Sequence, residues 1–494
     1  MDTKALRQKI LDLAIRGKLV PQDPNDEPAE VLLERIREQK QQMFKEGKLK
    51  KKDIKNDTII FKGEDNLHYE KFQDGTVKCI EDEIPFEVPE GWAWCKLNDI
   101  YNFIDYRGAT PTKITNGIPL VTAKNVKSGY IDYTIDDYIS EEEFKERQQR
   151  GISKKGDILF TTEAPLGNAA LADMEKFSAG QRLITFQQYG SKNELINYVM
   201  LMFILSDFFQ QQLYVNKTGS TVAGIKAAIL KTLWIPVPPY NEQLRISNTL
   251  KSAINLIDSI SKNKEILSTS ISNTKSKILD LAIRGKIVPQ DPNDEPASVL
   301  LERIRAEKEE LIKQGKIKRD KKESVIFKGD DNSYYEKYGE KLPSGWVVTN
   351  FETILEYEQP TKYIVHDTNY KPTYKTPVLT AGKSFILGYT NETDNIFDDL
   401  PVIIFDDFTT ESKFVDFSFK VKSSAMKILH INQDLVLPKY AFYLMQATEI
   451  DHDNHQRYWI STYSQEIVAL PPINEQERIL TALEHYFNLL DTLQ

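Results

Sequence analysis

The sequence predicts an α+β protein: two mixed α/β domains separated by long antiparallel helices that pair as a coiled coil, arranged as an internal repeat about an approximate twofold axis. Three observations carry this expectation. ILDLAIRGKLVPQDPNDEP, residues 10–28, returns at 278–296 with Leu19 replaced by Ile287 as its only change. Residues 246–281 place apolar side chains in alternating steps of four and three, the spacing of a helix that buries one seam. Between the repeated segments lie two dissimilar stretches in which short β-rich runs alternate with turn signals.

The duplication extends well beyond its core. Residues 10–40 and 278–308 agree at 27 of 31 positions with an offset of 268. IIFKG at 59–63 is answered by VIFKG at 325–329. The pattern P-x-G-W-x4-[LF]-x2-I is met by Pro89, Gly91, Trp92, Leu97 and Ile100, and again by Pro343, Gly345, Trp346, Phe351 and Ile354. VPPYNEQLRI at 237–246 resembles LPPINEQERI at 470–479. The inserts, 100–235 and 354–469, show little mutual similarity. Shared frames are expected to face each other or a common partner, and divergent inserts to face targets that differ.

Composition bounds the class. A chain of 494 residues exceeds what one core serves, and 40% hydrophobic with 28% charged residues is ordinary globular usage. The longest wholly apolar run, 198–205, is too short to span a bilayer, and the first residues lack a signal peptide's apolar centre, so a cytoplasmic protein without membrane contact is expected. Cys79 and Cys95 are too few for a disulfide framework or a four-cysteine zinc site, and both are expected to be reduced. A formal charge of -9 confines any nucleic-acid contact to local basic surfaces.

The frame reads as mainly helical. With Asn241 as its cap, a helix over 241–284 is expected, with a seam of Ile246, Leu250, Ala253, Ile257, Ile260, Lys264, Leu267, Ile271, Thr274, Ile278 and Leu281. Such a helix is roughly 65 Å long and needs a partner. The C-terminal Ile479, Leu483, Tyr486, Leu490 and Leu493 match its first half in phase; Leu6, Ile10 and Leu13 match its second half. Together the two ends make one split copy, expected to lie antiparallel to the central helix, with Lys264 and Thr274 as weak points. The divisions that follow are a repeated helical region 1–46, a basic linker 47–88, a first domain 89–240, a central helical region 241–314, a second basic linker 315–342, a second domain 343–472 and a terminal spacer helix 473–494.

The two variable domains introduced by PEGW and PSGW, the closing PPYNEQLRI and PPINEQERI, and the doubled LDLAIRGK-VPQDPNDEPA resemble the specificity subunit of type I restriction-modification systems. The resemblance covers nearly the whole chain. It implies two target-recognition domains, each reading half of an interrupted double-stranded DNA sequence, and helices that act as spacer and as docking surface for two methyltransferase subunits, with restriction subunits recruited to the complex. Because the chain ends partway along the length of the central helix and begins with the remainder, the frame looks circularly permuted.

Catalytic alternatives fail on their residues. Val237-Pro238-Pro239-Tyr240 departs from the [DN]PP[YF] element of adenine methyltransferases where a polar side chain must hold the amine, and Leu470-Pro471-Pro472-Ile473 lacks the aromatic as well. Both read as domain-exit turns. Ala381-Gly382-Lys383-Ser384 suggests a phosphate loop, but the first glycine of that motif would fall at Pro377. Asp406, Asp407, Glu411 and Lys413 are spaced too tightly for a two-strand metal nuclease site, and His452, Asp453 and His455 read as a solvated loop. No cofactor, metal or catalytic residue is expected.

What remains is binding chemistry, which needs paired donors and acceptors for base edges and cations or hydroxyls for phosphate. In the first insert the candidates are Tyr106, Arg107, Lys113, Lys124, Asn125, Lys127, Lys217, Ser220, Thr221 and Lys226. In the second they are Lys362, Tyr363, Lys383, Ser384, Lys413, Lys422, Arg457 and Tyr458. For each, a merely solvated surface is the ordinary alternative. The lysine-rich clusters 47–55 and 315–322 are shared, so they are read as phosphate or acidic-partner contacts, or as linkers, and not as sources of different half-site preferences. The reading is a noncatalytic DNA-sequence reader and assembly scaffold. Its rivals are a protein-binding scaffold without DNA preference and an enzyme with unfamiliar sites.

Overall fold

The computed structural model describes residues 2–54, 57–106, 110–189, 194–219, 223–315, 342–382, 384–448 and 458–493. The chain forms two compact units, Met1–Asn263 and Lys264–Gln494. A continuous helix, Tyr240–Ile283, begins in the first and ends in the second.

In the first unit the repeated stretch opens with helix Thr3–Ile15, capped by the Asp2 carboxylate on the amides of Lys4 and Ala5. It stops where Gly17 turns left-handed at φ 66°. The Gly17 and Lys18 amides donate back to the carbonyls of Ala14 and Leu13, at 3.1 and 2.8 Å, the glycine-dependent helix stop. A Cβ on Gly17 would lie 2.3 Å from Pro89 Cγ and 3.1 Å from the Trp92 ring. The second unit repeats the device: Gly285 at φ 67° presses on Pro343 and Trp346, and Lys286 donates to Leu281 at 2.9 Å.

The inserts leave and rejoin this frame through a two-stranded neck. Ala93–Lys96 pairs antiparallel with Trp234–Val237, and Val347–Asn350 pairs with Ile467–Leu470 in the same manner. Beyond the neck each insert builds three layers. A four-stranded antiparallel sheet has the order Tyr101–Asp105, Leu183–Gln188, Ile158–Thr161, Ala169–Leu171; in the second unit the order Leu355–Glu358, Met426–Ile431, Val402–Asp406, Ser412–Val415 is identical. A smaller sheet joins Ile118–Val121 in parallel to Ser178–Ala179, as Thr376–Leu379 is joined to Lys420–Val421. Two inserts with little common sequence therefore share one topology.

Alternation explains why it closes. Ile158 and Phe160 face the helical side and join the core that contains Leu11, Ala14 and Ile246, whereas Leu159 faces the smaller sheet with Val121 and Ala179. Ile403 and Phe405 against Ile404 do the same. A strand buried on both faces reads as an unbroken apolar run, which is why ILFT and VIIF carry no polar alternation. Each smaller sheet is pinned by a buried cation, but differently. Arg147 donates to Ser178 Oγ at 3.0 Å and to the Ala179 carbonyl at 2.6 Å; in the second unit Lys420, itself on the strand, pairs with Glu392 at 2.8 Å.

Several expectations change. The central helix starts at Tyr240, and the Pro239 carbonyl accepts the Gln243 amide at 2.9 Å, so Asn241 lies in its first turn and is not its cap. Of the expected seam, Ile246, Leu250, Ile257, Ile271, Ile479 and Leu483 are buried, but Leu267 is 42% exposed. Leu6, Ile10, Leu13, Ile278, Leu281, Ile260 and Leu490 are only half-buried. The deepest positions of the repeated helix are instead Leu11, Ala14 and Ile15, matched by Leu279 and Ala282, one residue later. The helix turns this face toward the neck and the insert's helices: Gln8 donates to the Leu205 carbonyl and accepts from the Asp207 amide. Residues 47–88, read as a linker, hold an antiparallel meander of Ile59–Lys62, His68–Lys71 and Val77–Cys79, tied to the neck by an ion pair between Lys96 and the buried Glu70. The equivalent cluster 316–322 lies outside the described residues.

Gly17→Ala and Gly285→Ala are each expected to destabilise the unit that carries them by more than ~1 kcal/mol, because alanine meets both a left-handed backbone and a proline ring. Urea unfolding followed by hydrogen exchange within each unit measures this; two neutral substitutions would contradict the packing described.

Candidate nucleic-acid interface

The loops at one end of each four-stranded sheet are drawn together by backbone hydrogen bonds that recur in both units. In the first, the Thr162 amide donates to the Arg182 carbonyl at 3.0 Å, and the Thr162 carbonyl accepts the Ile225 amide at 3.0 Å. In the second, Asp407 donates to Ala425 at 3.4 Å and accepts from Tyr458 at 2.9 Å. The strand end, the next hairpin and the segment preceding the neck thus meet at one rim in each domain.

Around the first rim, Asn125 Nδ2 donates to the Asp132 and Ile135 carbonyls at 2.9 Å each, and its Oδ1 accepts from Thr122, fixing the 122–127 turn. Asn168 Nδ2 ties that turn to the sheet through the Val126 carbonyl at 3.0 Å. Thr110 reaches Gln181 at 2.9 Å, and Arg182 pairs with Glu163 at 3.0 Å. The three loops picked out by sequence therefore converge, with Lys124 and Lys226 exposed along the edge. Lys217 lies 3.6 Å above the ring of Tyr214, which is 69% exposed, an aromatic and cation pair of the kind that meets bases and phosphates. Lys113 and Lys127 are paired with Asp137 and Asp132, at 2.7 and 3.8 Å.

Not every candidate reaches the surface. Tyr106 is buried, donates to the Gly151 carbonyl and carries the Arg147 guanidinium over its ring. Asn125 is buried with both ends of its amide engaged inside the chain, and Tyr458 is buried beneath the second rim. These three shape loops. Arg107, Ser220, Thr221, Lys383 and Arg457 lie outside the described residues. So do His452, Asp453 and His455.

The second rim is built on different chemistry. Asp407, buried, accepts the Trp459 amide at 3.0 Å and faces Lys427 at 3.6 Å; Lys427 also donates to Gln359 at 2.6 Å. Asp406 accepts the amides of Phe408 and Thr409 at 2.9 and 3.0 Å, and Glu411 pairs with Lys413 at 3.5 Å. Through these amides the Asp406 carboxylate orders the turn. Lys362 pairs with Glu358 at 3.0 Å, Tyr363 packs edge-on to Phe397, and Ser384 and Lys422 are exposed. Tyr214, Arg182 and Gln181 were missed because a single exposed side chain leaves no periodic signal; the fold alone brings them to the rim.

Among the described residues no helix is long and apolar enough to cross a membrane. Residues 89–268 match the type I restriction modification DNA specificity domain. The chain is 31% identical over 395 residues to the EcoEI type I specificity subunit of Escherichia coli, covering 69% of this chain and 60% of that one. It is 45% identical over 164 residues to the EcoR124I/EcoR124II specificity subunit of the same organism, covering 32% and 40%. It thus spans 40 to 60% of the length of these two curated relatives. A solved structure described by complex assembly and conformational transition of the type I R-M system shares the fold, with a TM-score of 0.51 and 14% identity, covering 83% of this chain and 93% of that one. The chain is thus similar to type I restriction enzyme specificity subunits, and the similarity includes a DNA specificity domain at residues 89–268.

Asp157 in the first unit and Glu392 in the second are shifted in opposite directions. Burial lifts Asp157 to about 6 despite hydrogen bonds from Lys154 and Gln187. Burial also acts to raise Glu392, but Lys420 and the amides of Asp367 and His366 hold it down at about 2. A raised carboxyl stabilises most below its unfolded value near 3.8 and loses that contribution as pH rises through about 6; Glu392 stabilises above 4.5 and loses its contribution as pH falls toward about 2. Asp157→Asn is therefore expected to lessen, without abolishing, the first unit's stability gain between about pH 6 and pH 4, because burial also lifts Asp99 to about 6, and to leave the second unit unchanged, measured by hydrogen exchange across pH. An unaltered pH profile would contradict it.

Proposed function

We propose that this chain is the noncatalytic DNA sequence-specificity subunit of a type I restriction-modification complex. Residues 89–240 and 343–472 each read one half of a bipartite, asymmetric double-stranded target. The observation that supports this most is the equivalent rim: two domains of one topology gather their loops at the same strand ends, yet line them with different side chains. Exposed Lys124, Lys217, Lys226 and Lys422 suit phosphate, and the remaining exposed candidates suit base edges.

The long helix Tyr240–Ile283, with Thr3–Ile15 and Ile473–Asp491 as antiparallel partners, is read as a coiled-coil spacer with a pseudo-twofold repeat. Within the first unit Arg7 meets Asp258 and the later Gln22 meets the earlier Glu242, and within the second Lys275 meets Asp491 and Gln290 meets Glu475, an order that supports opposite chain directions. Exposed positions that the repeat keeps identical, such as Lys18 and Lys286 or Asp23 and Asp291, are the proposed docking surface for two methyltransferase subunits, through which restriction subunits join. Methyl transfer and ATP-dependent cleavage belong to those partners.

Selection from a pool of random duplexes is expected to return two short conserved blocks separated by a fixed gap, and no preference at all would defeat the proposal. Binding is expected to weaken steeply with salt. Lys226→Ala and Lys422→Ala should each lower affinity for all duplexes and reduce the salt slope by ~1, since each removes one phosphate contact.

A further inference from the structure

Gln243 and Gln476 follow Glu242 and Glu475 in the first turns of the helices Tyr240–Ile283 and Ile473–Asp491, by which the chain leaves each insert, and are completely buried. Gln243 Oε1 accepts the Ile196 amide at 2.8 Å, and its Nε2 donates to the Pro238 carbonyl at 2.9 Å. Ile196 is the N-cap of the insert helix Asn197–Ile204 and offers that helix no capping side chain. Gln476 Oε1 accepts the Leu437 amide at 2.8 Å, and its Nε2 donates to the carbonyls of Pro471 and Leu435 at 3.0 and 3.2 Å. Leu437 is likewise the N-cap of the insert helix Pro438–Ala447 and likewise caps nothing with its side chain.

In both units, then, a frame glutamine bridges the exit turn and the first amide of the insert's own helix. Every partner is a backbone group. An orphan amide at a helix start must be satisfied, and burial makes leaving it unpaired costly. The insert residues supplying these amides differ in identity and surroundings, so the grip reads position and ignores side chains. We infer that Gln243 and Gln476 are the positioning residues through which the frame orients each recognition domain, by backbone contact alone, so that one frame accepts inserts of unrelated sequence. The inference rests on the reading of the inserts as DNA-recognition domains. Side-chain ion pairs also join frame and insert, Arg35 with Glu194 in the first unit and Lys439 with Glu484 in the second, but they link different positions in the two units.

The test uses the full chain with Gln243→Met and, separately, Gln476→Met, substitutions that keep the volume and remove the two hydrogen bonds of Gln243 and the three of Gln476. Amide hydrogen exchange is expected to accelerate by about tenfold or more across 196–204 in the first variant and across 437–447 in the second, each leaving the other domain unchanged. Duplex selection with Gln243→Met is expected to lose stringency in one half of the target only, and Gln476→Met in the other half. Should the methionine variants unfold, Gln243→Glu, which keeps an oxygen for the Ile196 amide and loses only the donor to Pro238, is expected to show protection below that of the native chain and above that of a truncation to alanine. Unchanged exchange at the variant's own helix, or equal loosening of both domains, overturns the inference. A native chain that selects no sequence overturns the recognition reading instead, while the exchange pattern still decides the role of the glutamines.

Discussion

The structure depends on a buried carboxylate at the start of each exit helix. Glu242 accepts the indole N–H of Trp92 at 2.9 Å and the amide of Gln22 at 3.1 Å, and Gln22 in turn donates to the Gly17 carbonyl at 2.6 Å. Glu475 repeats this with Trp346 at 3.0 Å and Gln290 at 3.1 Å, and Gln290 with Gly285 at 2.8 Å. One acidic side chain thereby joins the end of the repeated helix, the way into the insert and the way out of it. A few residues on, Arg245 pairs with Asp26 and Arg478 with Asp294, the latter at 2.7 Å, and the amides of Ala29 and Ala297 donate to Gly91 and Gly345 at 2.8 and 2.9 Å. Burial pushes both glutamates up from the ordinary carboxylate range, and the hydrogen bonds and arginines oppose that rise.

This clasp gives the doubled sequence a physical cause. Gly17 and Gln22 from the repeated stretch, Trp92 from PEGW and Glu242 from NEQLR form one hydrogen-bonded network, beside which Arg245 pairs with Asp26, so replacing Gln22, Trp92 or Glu242 alone takes a partner from a buried polar group. The second copy, closed wholly within its own unit, is under the same constraint. Inserts are under no such constraint beyond the neck, which explains how frames stay alike while inserts diverge.

The helical frame and the duplication were legible because apolar periodicity and identity are local signals. The clasp was visible only as matched motifs: that Gln22 and Glu242 touch across 220 residues depends on chain reversal. Only in the repeated helix does the expected seam fall one residue out of phase, because periodicity reports that a helix has an apolar face, not which neighbour it meets; Leu11 and Ala14 pack in the core that holds the insert's helices. The shared topology of the inserts was illegible, since many apolar sequences satisfy one two-faced sheet. Likewise Tyr106, Asn125 and Tyr458 carry donors suited to base edges, and only burial shows that they hold loops in place.

The central claim is that the carboxylate and indole of each unit form a coupled pair holding the insert to its frame. A double-mutant cycle with Trp92→Phe and Glu242→Met, followed by urea unfolding resolved by unit, tests it most directly. The account predicts a coupling on the order of 1.5–3 kcal/mol within the first unit and additivity when Trp92→Phe is combined with Glu475→Met. Additive effects of Trp92→Phe and Glu242→Met would contradict it, and the clasp would then be packing without cooperation.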